Sequence, residues 1–572
     1  MRVLFIYPSD NLTFNAGIAY LSAELKNAGH ETQLFLTDWF DAEGFHDAVE
    51  QFDPDLFAVS AVTNQFPLAE KFISLAKRLT GKTVIIGGVH ATLMPEEVIR
   101  TESVDALCIG EGEEALLEFV QKMEAGESLH AIRNIWYKGP KQIFRNPMRP
   151  LATDLDALPL PDYSLFNYDA ILKQMGVFMF FANRGCPYAC SYCVNHSLYR
   201  LYHHENFVRL MSVPRLLEVL QQSLAKYPQA NIVEFFDDTF ILKRDWVREF
   251  CHHYPRIIGK PFYCNVRANL VDEELVQLLK QAGCIRVNMA IETGSEKLRR
   301  TVLKKNITNQ ELIRSFGLFK KQGIKTYAHN MVGIPCETEQ NIKETIELNK
   351  KLEVDDLQCW VFYPYPGSDA YAFCQRKGWL TKRHFDTVAG KIVTSVLDQP
   401  SISHERVSYY NRTFKYLVLG QGTPPAEIPL EYMFLGHEES QMISGWNNLE
   451  SDDGHSFRWT EERGSFYLRN TAKKSLALFA NFPAPQPPPF VEISVNGLAI
   501  AHFIPQKGTW LWYEIPLPTF EETLLEISIQ VDKPHLPAFA DPHDLRKLGL
   551  AISKVVLENK WDRLRRNYRQ FS

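Results

Sequence analysis

Short β-branched runs alternate with amphipathic helical stretches through residues 1–395, and this rhythm admits few folds. In the first block the strand-like runs are Val3–Tyr7, Glu31–Phe35, Leu56–Val62, Thr83–Ile86 and Ala106–Ile109. Helical patterns at Ile18–Ala28, Leu68–Leu79 and Pro95–Thr101 fall between them. Strands separated by single helices cannot pair as hairpins, so they run parallel with helices on both faces of one sheet. Residues 1–140 are therefore expected to form a doubly wound α/β domain. Pro147, Pro150, Pro159 and Pro161 crowd residues 141–175, which read as a linker.

A second alternation fills 176–395, with strand runs at Val177–Ala182, Ile232–Phe236, Phe262–Val266, Arg286–Ile291, Lys325–Val332 and Leu357–Tyr363. Six such units predict a partial (β/α)6 barrel, whose active site belongs at the carboxyl ends of the strands. Residues 396–429 read as a helical connector. Past residue 430 the grammar changes to short strands and turns, with Asn496-Gly497 as a hairpin signal. Residues 430–558 are expected to form a β-sandwich or jelly roll. The basic tail 559–572, with Arg563, Arg565 and Arg566, reads as a solvated helix end.

The 572 residues carry a net charge of −6, which offers no electrostatic footprint for nucleic acid. No apolar run is long enough to span a bilayer, and Met1–Pro8 reads as a buried strand rather than a signal peptide. The expectation is a cytoplasmic protein in a reducing compartment, since none of the ten cysteines suggests a disulfide framework.

Three of those cysteines are close together: Gly185-Cys186-Pro187-Tyr188-Ala189-Cys190-Ser191-Tyr192-Cys193, directly after the first barrel strand. Thiolates select iron–sulfur clusters or zinc, and both ordinarily take four protein ligands. Three ligands with no obvious fourth suggest an iron kept open for a small molecule; a zinc site completed by a distant Cys or His is the alternative. Cys108, Cys251, Cys264, Cys284, Cys336, Cys359 and Cys374 read as small apolar side chains. In the first domain, ligand-binding loops are expected at the strand ends: Pro8–Asn11, Ser60–Asn64, Gly87–Thr92 and Gly110–Glu113.

The Cys-x3-Cys-x2-Cys spacing with Tyr192 before the last thiol resembles the cluster motif of radical S-adenosylmethionine (SAM) enzymes. Asp237-Asp238-Thr239-Phe240, Ile291–Glu296, Val332–Thr338 and Phe362–Ser368 resemble that family's later strand-end motifs. The first domain resembles the cobalamin-binding domain of the B12-dependent subgroup, through Gly17–Leu21, Gly87–Glu97 and Ile109–Glu113. The resemblance implies a [4Fe–4S] cluster on Cys186, Cys190 and Cys193, with SAM at the open iron. It implies SAM contacts from Tyr192, Asp237, Asp238, Glu292 and Ile334. Cobalamin contacts are implied for Asn11, Ser60, Thr63, Gly87, Gly88, His90, Gly110, Glu111 and Gly112. The Asp-x-His-x-x-Gly motif that supplies cobalt with an imidazole elsewhere is absent, so His90 is expected to touch the corrin or its tail.

What the resemblance implies chemically is a 5′-deoxyadenosyl radical and methylcobalamin acting together to methylate an unactivated carbon of a small-molecule, lipid or natural-product substrate. It also implies a flavodoxin- or ferredoxin-like one-electron donor. A cyclase or rearrangement enzyme without methyl transfer is the second reading, and a cobalamin- or metal-binding sensor the third. Read as residues alone, Asp237 and Asp238 are candidate helix caps, Glu292 a structural carboxylate, and Arg299-Arg300 and Lys304-Lys305 exposed helix charges. Trp446, Trp459, Trp510 and Trp512 of the last domain read as core residues, with a glycan contact as the alternative.

Overall fold

A computed structural model describes the chain apart from residues 11, 39, 204–205, 381–394, 422–431, 435–441, 453–454, 470–474, 483–488, 507–509, 521–523, 533–550 and 559–572. Asn11, the end of the connector, the basic tail and the side chains of Trp446 and Trp459 therefore lie outside what is described.

The first sheet has seven strands: β1 (Arg2–Pro8), β2 (Glu31–Thr37), β3 (Leu56–Ser60), β4 (Thr83–Gly87), β5 (Ala106–Cys108), β6 (Ile135–Lys138) and β7 (Ile143–Arg145). Their order is β2-β1-β3-β4-β5-β6-β7, parallel through β5 and antiparallel beyond it. Val3, Leu4, Phe5 and Ile6 are buried because helices cover both faces, which is why the run reads as continuously apolar.

Residues 141–175 differ from a spacer. Part of the segment is β7, and the rest joins the two domains as a packed aromatic block. Tyr163 stacks on Phe14 of the first domain at 4.8 Å between centroids, and its hydroxyl donates to the Met179 carbonyl in the barrel at 3.0 Å. The Met179 N–H in turn donates to the Tyr168 hydroxyl at 2.9 Å. Asp162 accepts from Ser22 and Lys26 at 2.6 and 2.7 Å. Prolines hold this backbone extended without needing N–H partners, while the aromatics between them fill one shared core.

The barrel strands are β8 (Val177–Phe180), β11 (Ile232–Phe235), β12 (Phe262–Val266), β13 (Cys284–Glu292), β14 (Lys325–Val332) and β15 (Asp356–Val361). They form one parallel sheet in the order β15-β14-β13-β12-β11-β8. A short antiparallel pair, β9 (Asn183–Arg184) with β10 (Arg209–Leu210), sits at its mouth. Among the described residues the last nine strands, from β16 (Tyr432–Phe434) to β24 (Ala551–Glu558), join one antiparallel sheet around a separate core that includes Phe466, Leu478, Ile493 and Ile527. Asn496 and Gly497 make the expected tight turn, at φ 51° and 80°.

The loop after β14 folds around Glu337, whose carboxylate accepts from the N–H groups of Gly333 at 2.6 Å and Ile334 at 3.3 Å. Glu337 is fully buried, and that burial raises its carboxyl to about 8 from an ordinary 4.5, against the pull of the two N–H donors. A raised acid contributes stability fully below its unfolded value and loses it as pH rises through the folded value. Stability should therefore decline between about pH 4.5 and 8 through this group. Glu337→Gln keeps the accepting oxygen and removes the titration. Denaturant unfolding across that window should show a flatter pH dependence in the variant; an unchanged slope contradicts the assignment.

Candidate functional site

The loop from Gly185 to Cys193 carries the three thiols to the mouth of the barrel. Gly185 has φ 85°, and a Cβ there would strike the Phe207 carbonyl oxygen, so only glycine makes this turn. Cys190 is buried, and Cys186 and Cys193 are half-buried. The thiols are near enough to feel one another electrostatically, and burial pushes the Cys193 thiol up to about 12. Such thiols remain protonated until a soft cation displaces the proton. The Arg267 guanidinium lies over the Tyr188 ring at 3.7 Å and reaches the Cys190 sulfur at 4.0 Å, a cation beside a site where thiolate charge would gather. Soft donors, a cation and a half-open face fit an iron–sulfur cluster.

Beside the loop stands Glu292, at the end of β13. The register between β13 and β14 slips at Ala290/Glu292, and Glu292 adopts φ 66°, a left-handed conformation that is costly for a side chain of this size. Its Oε1 accepts from the Tyr192 hydroxyl at 2.7 Å and pairs with Lys305 at 2.8 Å. Burial favours the neutral acid, but Lys305 and the Tyr192 hydroxyl outweigh it and hold the carboxyl below its usual range. Lys305 is 5% exposed, and Arg299 is fully buried, donating to the carbonyls of Ile291, Thr293 and Ile307. These two charges, expected on a helix surface, instead shape the strand end from inside. Ile334 shares an apolar cluster with Tyr192, Leu303, Met331 and Phe362.

The acidic pair divides. Asp237 is buried and accepts the N–H groups of Ala182 and Asn183 at 2.7 and 2.6 Å, fixing the chain just before the thiol loop. Both N–H groups reach Oδ1, while Oδ2 is buried with no partner among the described residues. Asp238 is exposed, bonds Asn195 beyond the last thiol and lies close enough to perturb Cys186 and Cys193.

The barrel lumen is layered. At its base Glu234 accepts from Arg286 and Asn288, both at 3.0 Å, and the Arg286 guanidinium stacks on Tyr263 at 3.7 Å. Nearer the mouth come Phe181, Phe236, Met331 and His329. Trp360, on the same face of β15, is 52% exposed. None of Arg286, Glu234 and Trp360 was singled out from sequence; the alternation along β11, β13 and β15 could have marked them as inward-facing.

At the carboxyl ends of β3, β4 and β5 lies a cavity of about 270 Å3 lined by Ser60, Gly87, Gly88, Gly110, Glu111 and Gly112 together with Gly17 and Tyr20. Phe181, Asn183 and Arg184 close it from the barrel side. Apolar Phe5, Ile18, Ile85 and Leu116 floor it, which fits a flat heteroaromatic arm of a corrinoid. Thr63 and His90 are not on its wall. His90 is fully buried, with Nδ1 3.2 Å from the Thr63 hydroxyl and its ring 4.3 Å from that of Phe66. Burial lowers it to about 4, so it packs as a neutral ring. Packing accounts for the ring's place away from the cavity wall. Glu111 lines the cavity, yet its carboxylate is held by Arg209 at 2.5 and 2.9 Å and Arg184 at 3.2 Å. Gly110, at φ 78°, leaves room for the Tyr202 hydroxyl, which accepts from the Glu111 N–H at 3.0 Å.

In the last domain Trp510 and Trp512 pack beside Phe479, with centroids 5.4 and 5.0 Å away. No helix among the described residues is long and apolar enough to cross a membrane.

Known proteins agree with this geometry. Residues 182–348 match the Radical SAM superfamily and residues 6–120 the B12 binding domain. An uncharacterised methyltransferase of Pyrococcus horikoshii is 29% identical over 62% of this chain and 77% of its own. The anaerobic magnesium-protoporphyrin IX monomethyl ester cyclase of Rubrivivax gelatinosus is 27% identical over 65% of this chain and 69% of its own. The solved methyltransferase TsrM of Kitasatospora setae, with cobalamin and a [4Fe-4S] cluster bound, superposes with a TM-score of 0.57 at 18% identity. That match covers 72% of this chain and 85% of that one. The cobalamin-dependent radical enzyme OxsB, with aqua-cobalamin and S-adenosylmethionine bound, gives 0.57 at 16% identity over 72% and 65%. A sheet with a ligand cavity at its strand ends, facing a barrel whose mouth holds three thiols, thus has its counterpart in both sequence and fold: residues 6–120 match a B12-binding domain and residues 182–348 a radical SAM domain behind it.

Proposed function

We propose that the chain is a cobalamin-dependent radical SAM methyltransferase that methylates an unactivated carbon of a small molecule held in the barrel lumen. One observation carries the reading: Arg184 lines the corrinoid cavity and stands two residues before Cys186, so the two cofactor sites meet at one strand end. When bound, the cluster and SAM supply a carbon radical strong enough to take hydrogen from an inert carbon, and the corrinoid carries the methyl group.

The residues divide the work. Cys186, Cys190 and Cys193 bind the cluster. Tyr192 and Ile334 form an apolar wall for SAM's adenine, Glu292 accepts from its ribose hydroxyls or amino group, and Asp238 stands at the open rim. Ser60, Gly87, Gly88, Gly110 and Gly112 cradle the corrinoid's arm, while Glu111 orients the domains. Phe181, Phe236, Met331 and Trp360 line the radical's path and favour a substrate with a flat or apolar face. Arg286 and Asn288 below them recognise its polar end. The electron comes from an external one-electron donor, and the free thiols of the chain suit a reducing compartment such as the cytoplasm.

The cyclase relative favours one second reading, radical ring closure without methyl transfer. Turnover with SAM labelled in its methyl carbon separates the two once the substrate is in hand. Label in the product supports the methyltransferase; 5′-deoxyadenosine with no label in the product sinks it. Trp360→Ala should raise KM for the substrate by roughly tenfold, the loss of one aromatic contact, with smaller effect on kcat. An unchanged KM places the substrate elsewhere.

A further inference from the structure

Beside the thiol loop, a groove of about 310 Å3, which shares none of the lumen residues named above, reaches Ser191, the residue between Cys190 and Tyr192. The loop is pinned there. The Ser191 N–H donates to the Leu303 carbonyl at 3.0 Å, its hydroxyl to the Val302 carbonyl at 2.6 Å, and its carbonyl accepts from the Ala370 N–H at 2.9 Å. The groove's floor is apolar, made by Val302, Pro335, Ala372 and Phe373. Its rim is cationic. Lys304 and Arg376 line it, and Lys377 sits 5.9 Å from the Phe373 ring centroid. Arg200 reaches the rim through Asp369 at 2.8 Å, and Arg300 is exposed beside Thr301. Against these stands Asp369, itself shared by Lys304 and Arg200. A local concentration of positive charge is unexpected in a chain of net charge −6.

We propose that this groove is the docking site for an acidic, flavodoxin-like electron carrier, an inference that rests on the cluster reading above. The lumen side of the cluster is the place for SAM and substrate, so an electron from outside has to enter from another side of the loop. A flavodoxin presents an apolar flavin edge framed by carboxylates, which matches an apolar floor inside a basic rim. Complementary charge of this kind raises encounter rates and sets orientation while leaving the complex weak enough to turn over. The step is a one-electron exchange: the anionic flavin hydroquinone becomes the neutral semiquinone by giving up one electron, no proton leaves, and that electron would reduce the cluster from its 2+ to its 1+ state.

The test uses the full chain with reconstituted cluster and the double variant Arg376→Glu/Lys377→Glu, neither residue belonging to the cofactor sites. Under anaerobic stopped flow at low salt, reduction by flavodoxin hydroquinone should slow about tenfold in the variant, the difference vanishing at high salt. Bleaching by dithionite, which needs no docking, should be equal in both proteins. Carbodiimide cross-linking to flavodoxin should join its carboxylates to Lys304 and Lys377. Equal flavodoxin rates, or cross-links confined to other faces, overturn the proposal. If dithionite bleaches nothing in the wild type, the cluster reading fails, and the cross-links, which need no cluster, still decide the docking site.

Discussion

Two arginines and two glutamates at the domain junction hold the molecule in its working arrangement. Arg184 and Arg209 face each other across the short β9–β10 pair, and both meet Glu111 from the loop after β5. Arg184 also pairs with Glu113 at 2.5 Å and lies over Tyr20 at 5.4 Å, while Arg209 adds the Ala152 carbonyl at 2.6 Å. Burying such ions is expensive, and well-packed apolar residues could supply as much stability. What an ion cluster supplies is geometry, because guanidinium and carboxylate planes accept few relative orientations. Here the geometry fixes the start of the thiol loop against the rim of the cavity at the ends of β3, β4 and β5. Two reactive groups cannot act in sequence on one carbon unless their separation is set.

A second polar set does the same for the other wall of the site. Glu292 takes a left-handed backbone conformation at a strand irregularity, and Lys305, Tyr192 and the buried Arg299 hold it there. The strain is tolerated because each partner is itself fixed: Tyr192 by the thiol loop, Lys305 and Arg299 by the segment after β13. Below this layer the Glu234–Arg286 pair closes the base of the lumen, and above it the rings of Phe181, Phe236 and Trp360 line its mouth. The gradient from polar base to apolar mouth suits a substrate with one polar and one apolar end.

Much of this was legible in the chain. The alternation of strands and helices, the six barrel strands, the three thiols and the glycine loops of the corrinoid cavity are all local patterns, written in consecutive residues. The tight turn at Asn496-Gly497 is equally local. What escaped depended on partners distant in sequence. Lys305 and Arg299 look like surface charges until Glu292 and the carbonyls of Ile291, Thr293 and Ile307 are brought to them. His90 looks like a ligand-facing residue until Thr63 and Phe66 enclose it. Asp237 and Asp238 are adjacent and alike, yet successive residues at a strand end point opposite ways, so one binds backbone and the other faces the thiols. The proline-rich stretch 141–175 misled for the same reason: its prolines are visible, but the packing of Tyr163 and Tyr168 between two domains is not.

The central claim is that one chain holds a cluster and a corrinoid at separate but adjoining sites, the first through Cys186, Cys190 and Cys193 alone. Iron, sulfide and cobalt analysis of the anaerobically reconstituted protein, beside a variant with all three cysteines changed to alanine, tests it most directly. The account predicts iron, sulfide and cobalt together in the wild type, and retained cobalt with loss of nearly all iron and sulfide in the variant. Full iron content in the variant, or wild-type protein that takes up iron but no cobalamin, would contradict it.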